Sequence, residues 1–467
     1  MRLAKVDRLL AAAGALLIAC YYWTFTHVSL ATGFSFDDLM NLTFAWQQPF
    51  SDIVKANLFF RTEVIRPFGQ LFYASFYQWF GMDAAPYRVF CYTVLWINVG
   101  LAYLALREMA RSPAIAGTAV LLHCCQPNFF PLYYGSGNCY DVFSFFFYFA
   151  SLAFVLRARA QGRLLATWEC AVVAVLFACA VNSKEAAASL PVVLLVYELT
   201  VERPRSWNWI WNQGRAVLVT GAVGLLFLWA RFTGPNNLLN HPAYRPVFNL
   251  RRYLESTAGY LNELVCMSDW WTPTRAAILL GSMVLVAAIS RSRNLVLATA
   301  IVILGAAPVA FVPPRGIASY YIPLTGYALF FATLCIWAAG RRLRARILIF
   351  VVLYGLAWRW QITRKRELPD YPKELAAIES TVADFRSHPE WFQANSTLLI
   401  VNDCFPGNEW ASTFLADLVG NQHAMTVHTL VKLDPKPTRA QIESYTHVIG
   451  FRDGRYVELD RSALPSP

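Results

Sequence analysis

Charged residues are scarce in this sequence. Asp, Glu, Lys and Arg make up 15% of its 467 residues, whereas a soluble domain carries about a quarter. Hydrophobic residues make up 57%, and they come in long blocks rather than in alternating patterns. Because such blocks favour lipid as the solvent, the composition predicts an integral membrane protein.

Metal-binding motifs and internal repeats are also missing. Neither a CxxC pair nor an HExxH motif occurs, so no metal site built from protein ligands is indicated. No self-similarity is found at periods of about 20–50 residues. Most of the ten cysteines lie within apolar blocks, where Cys acts as a small apolar residue. The other three, Cys139, Cys266 and Cys404, allow one disulfide without defining a pair.

Eleven apolar blocks predict about eleven membrane-spanning helices. The short aromatic segment 66–80 is better explained as an interfacial or re-entrant helix than as a span. The blocks run at about 9–30, 87–107, 113–132, 141–156, 165–181, 185–200, 214–232, 275–290, 294–312, 317–339 and 345–361.

Basic residues fall in alternate loops between these blocks, which argues against nucleic acid as the reason for the net charge of +11. The positive-inside rule makes these loops and the N-terminus cytoplasmic. Eleven crossings then place the C-terminus outside, in a bacterial inner membrane. The cations are Arg2, Lys5 and Arg8; Arg107 and Arg111; Arg157, Arg159 and Arg163; Arg203, Arg205 and Arg215; Arg291 and Arg293; and Arg341, Arg342, Arg344 and Arg346.

The last hundred residues change character. Segments 396–403 and 424–430 have the composition of strands, and 410–419 that of a helix. Residues 448–459 fit a hairpin with Asp-Gly at its turn. The sequence therefore predicts an α-helical polytopic transmembrane domain over residues 1–363, with a first outer loop at 31–86, and a small extracytoplasmic α/β domain over 364–467.

Two adjacent carboxylates, Asp37 and Asp38, follow the first predicted span. Mutual repulsion and poor solvation at an apolar boundary raise a carboxylate pKa and can prepare the group to act as a base. Because neighbouring residues on a helix do not share a face, we expect one to face the substrate and the other to orient a loop. A solvated helix cap is the alternative explanation of the pair.

Cations and further carboxylates lie at the same predicted face. Lys184 and Glu185 are either an ordinary interfacial ion pair or part of a phosphate site. In such a site the ammonium of Lys184 would bind the phosphate, and the carboxylate of Glu185 would fix the backbone or a second cation. Arg315 and Arg66, each next to a proline, are candidate anion ligands because Arg binds phosphate in a bidentate manner. Snorkelling at the interface is the alternative for both. Asp141 is a further carboxylate at this depth, or a helix cap.

Several segments of the sequence resemble motifs of the C-type (GT-C) glycosyltransferases and occur in the same order. Within that superfamily the resemblance is greatest to the protein O-mannosyltransferases and the transmembrane tetratricopeptide-repeat mannosyltransferases. They cover about residues 10–340, although Asn138-Cys139-Tyr140 stands where the family has a basic pair. The segments are Phe36-Asp37-Asp38; Arg66-Pro67-Phe68 with Pro86-Tyr87-Arg88; Gly137 to Asp141; Ser183-Lys184-Glu185 with Leu190-Pro191 and Tyr197-Glu198; and Arg315 with Tyr320, Tyr321 and Pro323.

The resemblance implies a hexosyltransferase that moves a sugar from a polyprenyl-phosphate donor to a hydroxyl of a protein, lipid or glycan acceptor, with inversion. Asp37 or Asp38 would be the general base, and Lys184, Arg315 and Arg66 would bind the donor phosphate. No cofactor is required, although a divalent ion held by the acidic pair stays an alternative. The supporting residues would be Glu185, Asp141, Tyr320 and Tyr321.

Two other functions compete with this one. A multi-span lipid or solute transporter, or flippase, would place ionisable residues along a water-filled path. The candidate charges instead cluster at one face, and neither an inverted repeat nor paired broken helices are visible. A binding or assembly module with an inactive membrane part is the third alternative, and it predicts that the carboxylates can be replaced without effect.

Overall fold

The computed structural model describes residues 2–201, 208–235, 237–240, 242, 244–367 and 371–461. Two of the predicted cytoplasmic cations, Arg203 and Arg205, lie outside these residues, as do the side chains of Arg2, Lys5 and Arg8. The described chain is a helical bundle followed by a small four-stranded sheet with its own helices.

The helices of the described part are numbered in chain order. They are α1 (Arg2–Thr26), α2 (Phe36–Trp46), α3 (Phe50–Leu58), α4 (Pro67–Phe80), α5 (Ala84–Ala110), α6 (Pro113–Cys124), α7 (Phe130–Tyr134), α8 (Cys139–Ala160), α9 (Thr167–Ser183), α10 (Leu190–Val201), α11 (Trp209–Asn212), α12 (Arg215–Thr233), α13 (Leu250–Val265), α14 (Pro273–Ser290), α15 (Arg293–Ala310), α16 (Tyr321–Ala339), α17 (Leu343–Glu367), α18 (Tyr371–Ser387), α19 (Trp410–Gly420) and α20 (Arg439–Glu443).

Each of the eleven predicted blocks contains a helix. In the described part, eight segments are long and apolar enough to cross a membrane, and they are built on α1, α5, α8, α12 and α14 to α17. The other three blocks hold α6, α9 and α10, which have 12, 17 and 12 residues. Helix α9 reaches the lower end of the range of about 17–25 residues for a span, whereas α6 and α10 are shorter. The predicted class, a polytopic helical membrane protein, is confirmed.

Burial separates the inner helices from those that face lipid. Most residues of α8 and α16 are buried, because these helices pack against neighbours on several sides. Helices α14 and α17 instead expose large apolar side chains, such as Ile289, Leu348 and Leu356. Apolar surface of this extent marks a membrane-facing side in a helical bundle.

Helix α8 carries the candidate acidic residue Asp141 in its first turn and the basic residue Arg159 in its last turn. Its 22 residues correspond to a length of about 33 Å. At the far end, Arg159 Nη2 lies 3.0 Å from Glu198 Oε2 and links α8 to α10. The Arg-rich loop after α8 and the candidate site therefore lie at opposite ends of this helix.

The C-terminal region contains the predicted α/β elements. Its strands are β1 (Thr397–Ile400), β2 (Thr426–Thr429), β3 (His447–Arg452) and β4 (Arg455–Glu458), in the sheet order β2-β1-β3-β4. Strand β1 is parallel to β2 and β3, whereas β3 and β4 are antiparallel. Asp453 and Gly454 both have positive φ at the hairpin turn, as a two-residue turn of this kind requires.

The predicted boundary between domains, at 363/364, falls inside α17, which continues to Glu367. The division of the chain into 1–363 and 364–467 therefore stays a prediction. All ten cysteines lie in the described part, and none of them forms a disulfide. No disulfide joins Cys139, Cys266 or Cys404.

Candidate functional site

Asp38 lies in the first turn of α2 and takes part in its capping box. Its side chain is fully buried, and its Oδ2 accepts hydrogen bonds from Ser35 N at 2.9 Å and Ser35 Oγ at 2.6 Å. The hydroxyl of Tyr73 lies 2.9 Å from Oδ1. Ser35 in turn accepts from the Asp38 backbone N–H, which completes a capping box. Both oxygens of Asp38 are therefore already engaged.

Asp37 points the other way and is exposed to a cavity of about 180 Å³. Partial desolvation within the cavity raises the pKa of the Asp37 carboxyl above the usual 3.8, and the charge of Asp38 adds to this effect. The positive charges of Lys184 and Arg315 act in the opposite direction. The result is a reachable carboxylate with an increased affinity for a proton, which is what a general base needs.

The loop before α8 lies directly against Asp37. Gly137 O accepts a hydrogen bond from Asn41 Nδ2 at 3.3 Å, and Ser136 O lies 2.8 Å from the Tyr73 hydroxyl. A Cβ atom at Gly137 would lie 2.4 Å from Asp37 Cβ. Only glycine therefore allows the loop to approach α2 this closely.

Lys184 and Asp141 form the first of two ion pairs in the cavity wall. Asp141 lies in the first turn of α8, and Lys184 follows the last residue of α9. Lys184 Nζ is 2.6 Å from Asp141 Oδ2, and both side chains are largely buried. Burial lowers the pKa of Lys184, whereas the Asp141 charge supports the ammonium form.

Arg66 and Glu185 form the second pair. Arg66 Nη2 and Nε lie 3.2 and 3.3 Å from Glu185 Oε2, and Arg231 Nη2 is 4.0 Å from Glu185 Oε1. Burial opposes ionisation of Glu185, but Arg66 and then Arg231 lower its pKa to about 2. Arg66 has a left-handed backbone, with φ of 51°. That conformation costs about 1–2 kcal/mol.

Tyr244 lies between two guanidinium groups. The Arg315 guanidinium carbon is 3.8 Å from the centre of the Tyr244 ring and the Arg66 carbon is 5.8 Å from it. Arg315 Nη2 also donates to the Tyr244 hydroxyl at 2.6 Å. Such cation–π contacts hold arginine side chains in place without neutralising their charge.

Six of the nine residues predicted from the sequence line this one cavity, and Asp38 is adjacent to it. Tyr320 and Tyr321 lie outside the lining: Tyr320 stacks on Tyr260 at 4.7 Å, and Tyr321 packs on Phe145 at 4.2 Å. The six are Asp37, Arg66, Asp141, Lys184, Glu185 and Arg315.

Sequence reasoning missed Arg231, Tyr244 and Tyr260. Arg231 had a signal, because a charged residue at the end of an apolar block marks a functional or paired position. Tyr244 lies in a loop without a recognisable motif, and Tyr260 looks like an ordinary core residue of α13. Within the described ranges, no group of three or more His, Cys, Asp or Glu could hold a metal ion.

Comparison with solved structures identifies the fold. ArnT from Cupriavidus metallidurans, in a crystal structure with undecaprenyl phosphate bound, aligns with a TM-score of 0.57 over 98% of this chain and 99% of that chain. This chain has the ArnT fold. The sequence identity is 13%. The alignment covers the helical bundle and the C-terminal sheet region together, so the fold expected from the sequence is confirmed.

A second structure, of ArnT from the same organism in the apo state, aligns with a TM-score of 0.46 and 16% identity over 91% of this chain and 86% of that chain. Neither a protein-family model nor a curated protein matches the sequence.

Proposed function

We propose that this protein is an integral membrane glycosyltransferase that moves a sugar from a polyprenyl-phosphate donor to an acceptor hydroxyl at the outer face of the membrane. The observation that carries the proposal is the position of Asp37, which is exposed in a cavity whose wall holds Arg66, Lys184 and Arg315. The fold supports it, because the solved structure that shares it binds undecaprenyl phosphate.

The proposed reaction is a single displacement. Asp37 takes the proton of the acceptor hydroxyl, the oxygen attacks the anomeric carbon, and the bond from that carbon to the phosphate breaks with inversion. The negative charge that develops on the leaving phosphate is stabilised by Lys184, Arg315 and Arg66. Fixed charges stabilise such a charge strongly in a site from which water is excluded. The hydrogen-bonded Asp38 holds the first turn of α2 in place and takes no proton.

The two ion pairs hold the cations of the cavity wall in position before the donor binds. Asp141 and Glu185 keep Lys184 and Arg66 charged although they are buried. A phosphate oxygen would share each cation with its carboxylate rather than replace it. Preorganised charges of this kind cost little rearrangement during the reaction.

The orientation in the membrane belongs to the same proposal. The N-terminus and the Arg-rich loops are placed in the cytoplasm by the positive-inside rule, and the cavity and the C-terminal domain at the outer face of the inner membrane. The sugar is proposed to be a hexose. The acceptor is a hydroxyl of a protein, lipid or glycan.

A transfer assay tests the function. Purified protein is incubated with polyprenyl-phosphate hexoses that carry a radioactive sugar and with a cell-envelope fraction as the source of acceptor. The wild type is expected to move label into the envelope fraction and to release polyprenyl phosphate in equal amount. Donor that stays intact with every hexose offered would contradict the proposal.

Transfer should depend on pH through Asp37. Because the base must be ionised and its pKa is raised, kcat/KM should fall on acidification at a pH above that at which an ordinary Asp titrates. This profile reports the ionisation of the free enzyme. A rate that stays constant down to pH values near 4 would exclude Asp37 as the base.

Gly137→Ala should impair transfer. The added methyl group would lie 2.4 Å from Asp37 Cβ and 3.1 Å from Ser35 Oγ, so α2 or the loop must shift. A displacement of about 1 Å at a reacting group can cost about 10²-fold in rate, and we expect a loss of about 10–100-fold in kcat. Gly100→Ala, which meets no atom within 4 Å, is the matched control. Equal rates for both variants would contradict the role given to the loop.

A further inference from the structure

The C-terminal domain contacts α2 at the end that carries the two carboxylates. The ring of Phe36, the residue before Asp37, lies edge-on to Phe405 and to Trp410, with both pairs of ring centres 5.7 Å apart. Phe405 belongs to the loop after β1, and Trp410 begins α19. The first turn of α2 therefore rests on two aromatic side chains of this domain.

The other end of α2 is held by the same domain. Trp46, its last residue, stacks on His423 with ring centres 4.1 Å apart and planes within 11°. The Trp46 Nε1–H donates to Asn421 Oδ1 at 2.8 Å. Because α2 has only 11 residues, and isolated helices this short are marginal in water, its position depends on such contacts.

The contact also reaches α4, whose N-cap is Arg66. The Tyr77 hydroxyl donates to Leu418 O of α19 at 2.5 Å. One turn earlier on α4, Tyr73 contacts Asp38. Helix α19 therefore braces both helices that carry candidate site residues on this side of the cavity.

The part of the domain that touches Phe36 is itself fixed. Asp403, just after β1, accepts hydrogen bonds from Phe405 N at 2.9 Å and from Ser412 Oγ at 2.8 Å. These bonds tie the loop to α19. An unbroken series of contacts leads from the sheet through Asp403 and the two aromatic residues to Phe36.

We propose that the C-terminal domain is a positioning unit for the reaction centre, in which Trp410 and Phe405 hold Phe36 and thereby set the place of the Asp37 carboxylate. The inference rests on the proposed function. Trp410 and Phe405 are positioning residues: they act on Asp37 through Phe36. The cations of the opposite wall, Lys184 and Arg315, lie on other elements and do not depend on this contact.

Trp410→Ala in the full-length protein tests the proposal. We expect kcat to fall by about 10–100-fold, because a shift of about 1 Å at a reacting group has an effect of this size. Binding of undecaprenyl phosphate should stay as in the wild type, and Trp410→Phe should restore most of the rate. Tyr445→Ala is the matched control, because this aromatic residue contacts His428 of β2 within the domain and should leave kcat unchanged.

Hydrogen exchange gives a readout that does not need turnover. In Trp410→Ala, the amides of residues 36–46 should exchange at least several-fold faster, whereas those of α9 should not change. If α2 exchanges faster in Trp410→Ala but the wild-type protein transfers no sugar, the contact is supported and the proposed function is overturned. Wild-type kcat and wild-type exchange in Trp410→Ala would overturn the positioning role.

A milder variant covers the case in which Trp410→Ala does not fold. Phe405→Leu keeps an apolar side chain but removes the edge-on ring contact. It should lower kcat without lowering undecaprenyl phosphate binding. A parallel loss of binding and rate, or no loss of rate, would overturn the proposal.

Discussion

Replacing Asp37 by Asn should lower the rate of sugar transfer by about 10²–10⁴-fold, which is the usual contribution of a general base. Asn has nearly the same shape as Asp but cannot take the acceptor proton. Because Asp37 is exposed to the cavity and is not part of the capping box, the variant should fold and bind undecaprenyl phosphate as the wild type does. The measurement is kcat with a labelled polyprenyl-phosphate sugar.

Asp52→Asn and Asp38→Asn complete this experiment. Asp52 lies on α3, half-exposed and paired with Lys55 at 3.1 Å, and its replacement should change nothing. Asp38→Asn should lower the melting temperature, since it weakens charged hydrogen bonds worth about 1.5–3 kcal/mol each. Preserved turnover in Asp37→Asn would exclude Asp37 as the base, and preserved turnover in both Asp37→Asn and Asp38→Asn would rule out the carboxylate mechanism.

Removing Lys184 should have the largest effect on stability and on donor binding together. Lys184→Ala leaves Asp141 buried without its partner, and breaking a buried pair in this way costs about 3–5 kcal/mol. We therefore expect a strongly lowered melting temperature and no detectable binding of undecaprenyl phosphate. Lys55→Ala, which removes an exposed lysine of an ion pair, should affect neither quantity.

The double variant Lys184→Met/Asp141→Asn separates stability from binding. Neutralising both partners removes the unpaired charge, so the melting temperature should recover most of the loss. Undecaprenyl phosphate should still fail to bind, because the ammonium is missing. If the double variant bound this lipid as tightly as the wild type does, Lys184 would not be a phosphate ligand.

Much of the fold could be predicted because helices and hairpins have local signals. Each of the eleven apolar blocks located a helix of the bundle, although no block covered α2, α3 or α13. The Asp453-Gly454 pair located the turn of the final hairpin. The lengths of α6 and α10 were not predictable from hydropathy, because apolar residues next to these helices adopt other conformations. Apolar composition alone does not distinguish a helical residue from a buried turn.

The candidate site was predictable in its residue types and only partly in its roles. The different environments of Asp37 and Asp38 had a local signal in the sequence. Ser35 lies three residues before Asp38, which is the spacing of a capping box. The Arg66–Glu185 pair joins residues 119 positions apart, and such a contact leaves no trace in local sequence. The same is true of Tyr244 between two arginines, and of the contact from Phe36 to Trp410.

Native mass spectrometry of the gently purified protein tests the central claim most directly. The wild type and Arg315→Ala are compared for lipid that co-purifies with them. The proposal predicts a polyprenyl phosphate on the wild type that is lost in the variant, since Arg315 lines the cavity beside Tyr244. A wild type that carries only bulk phospholipid would contradict the proposed donor class, and a transport function would then be tested next.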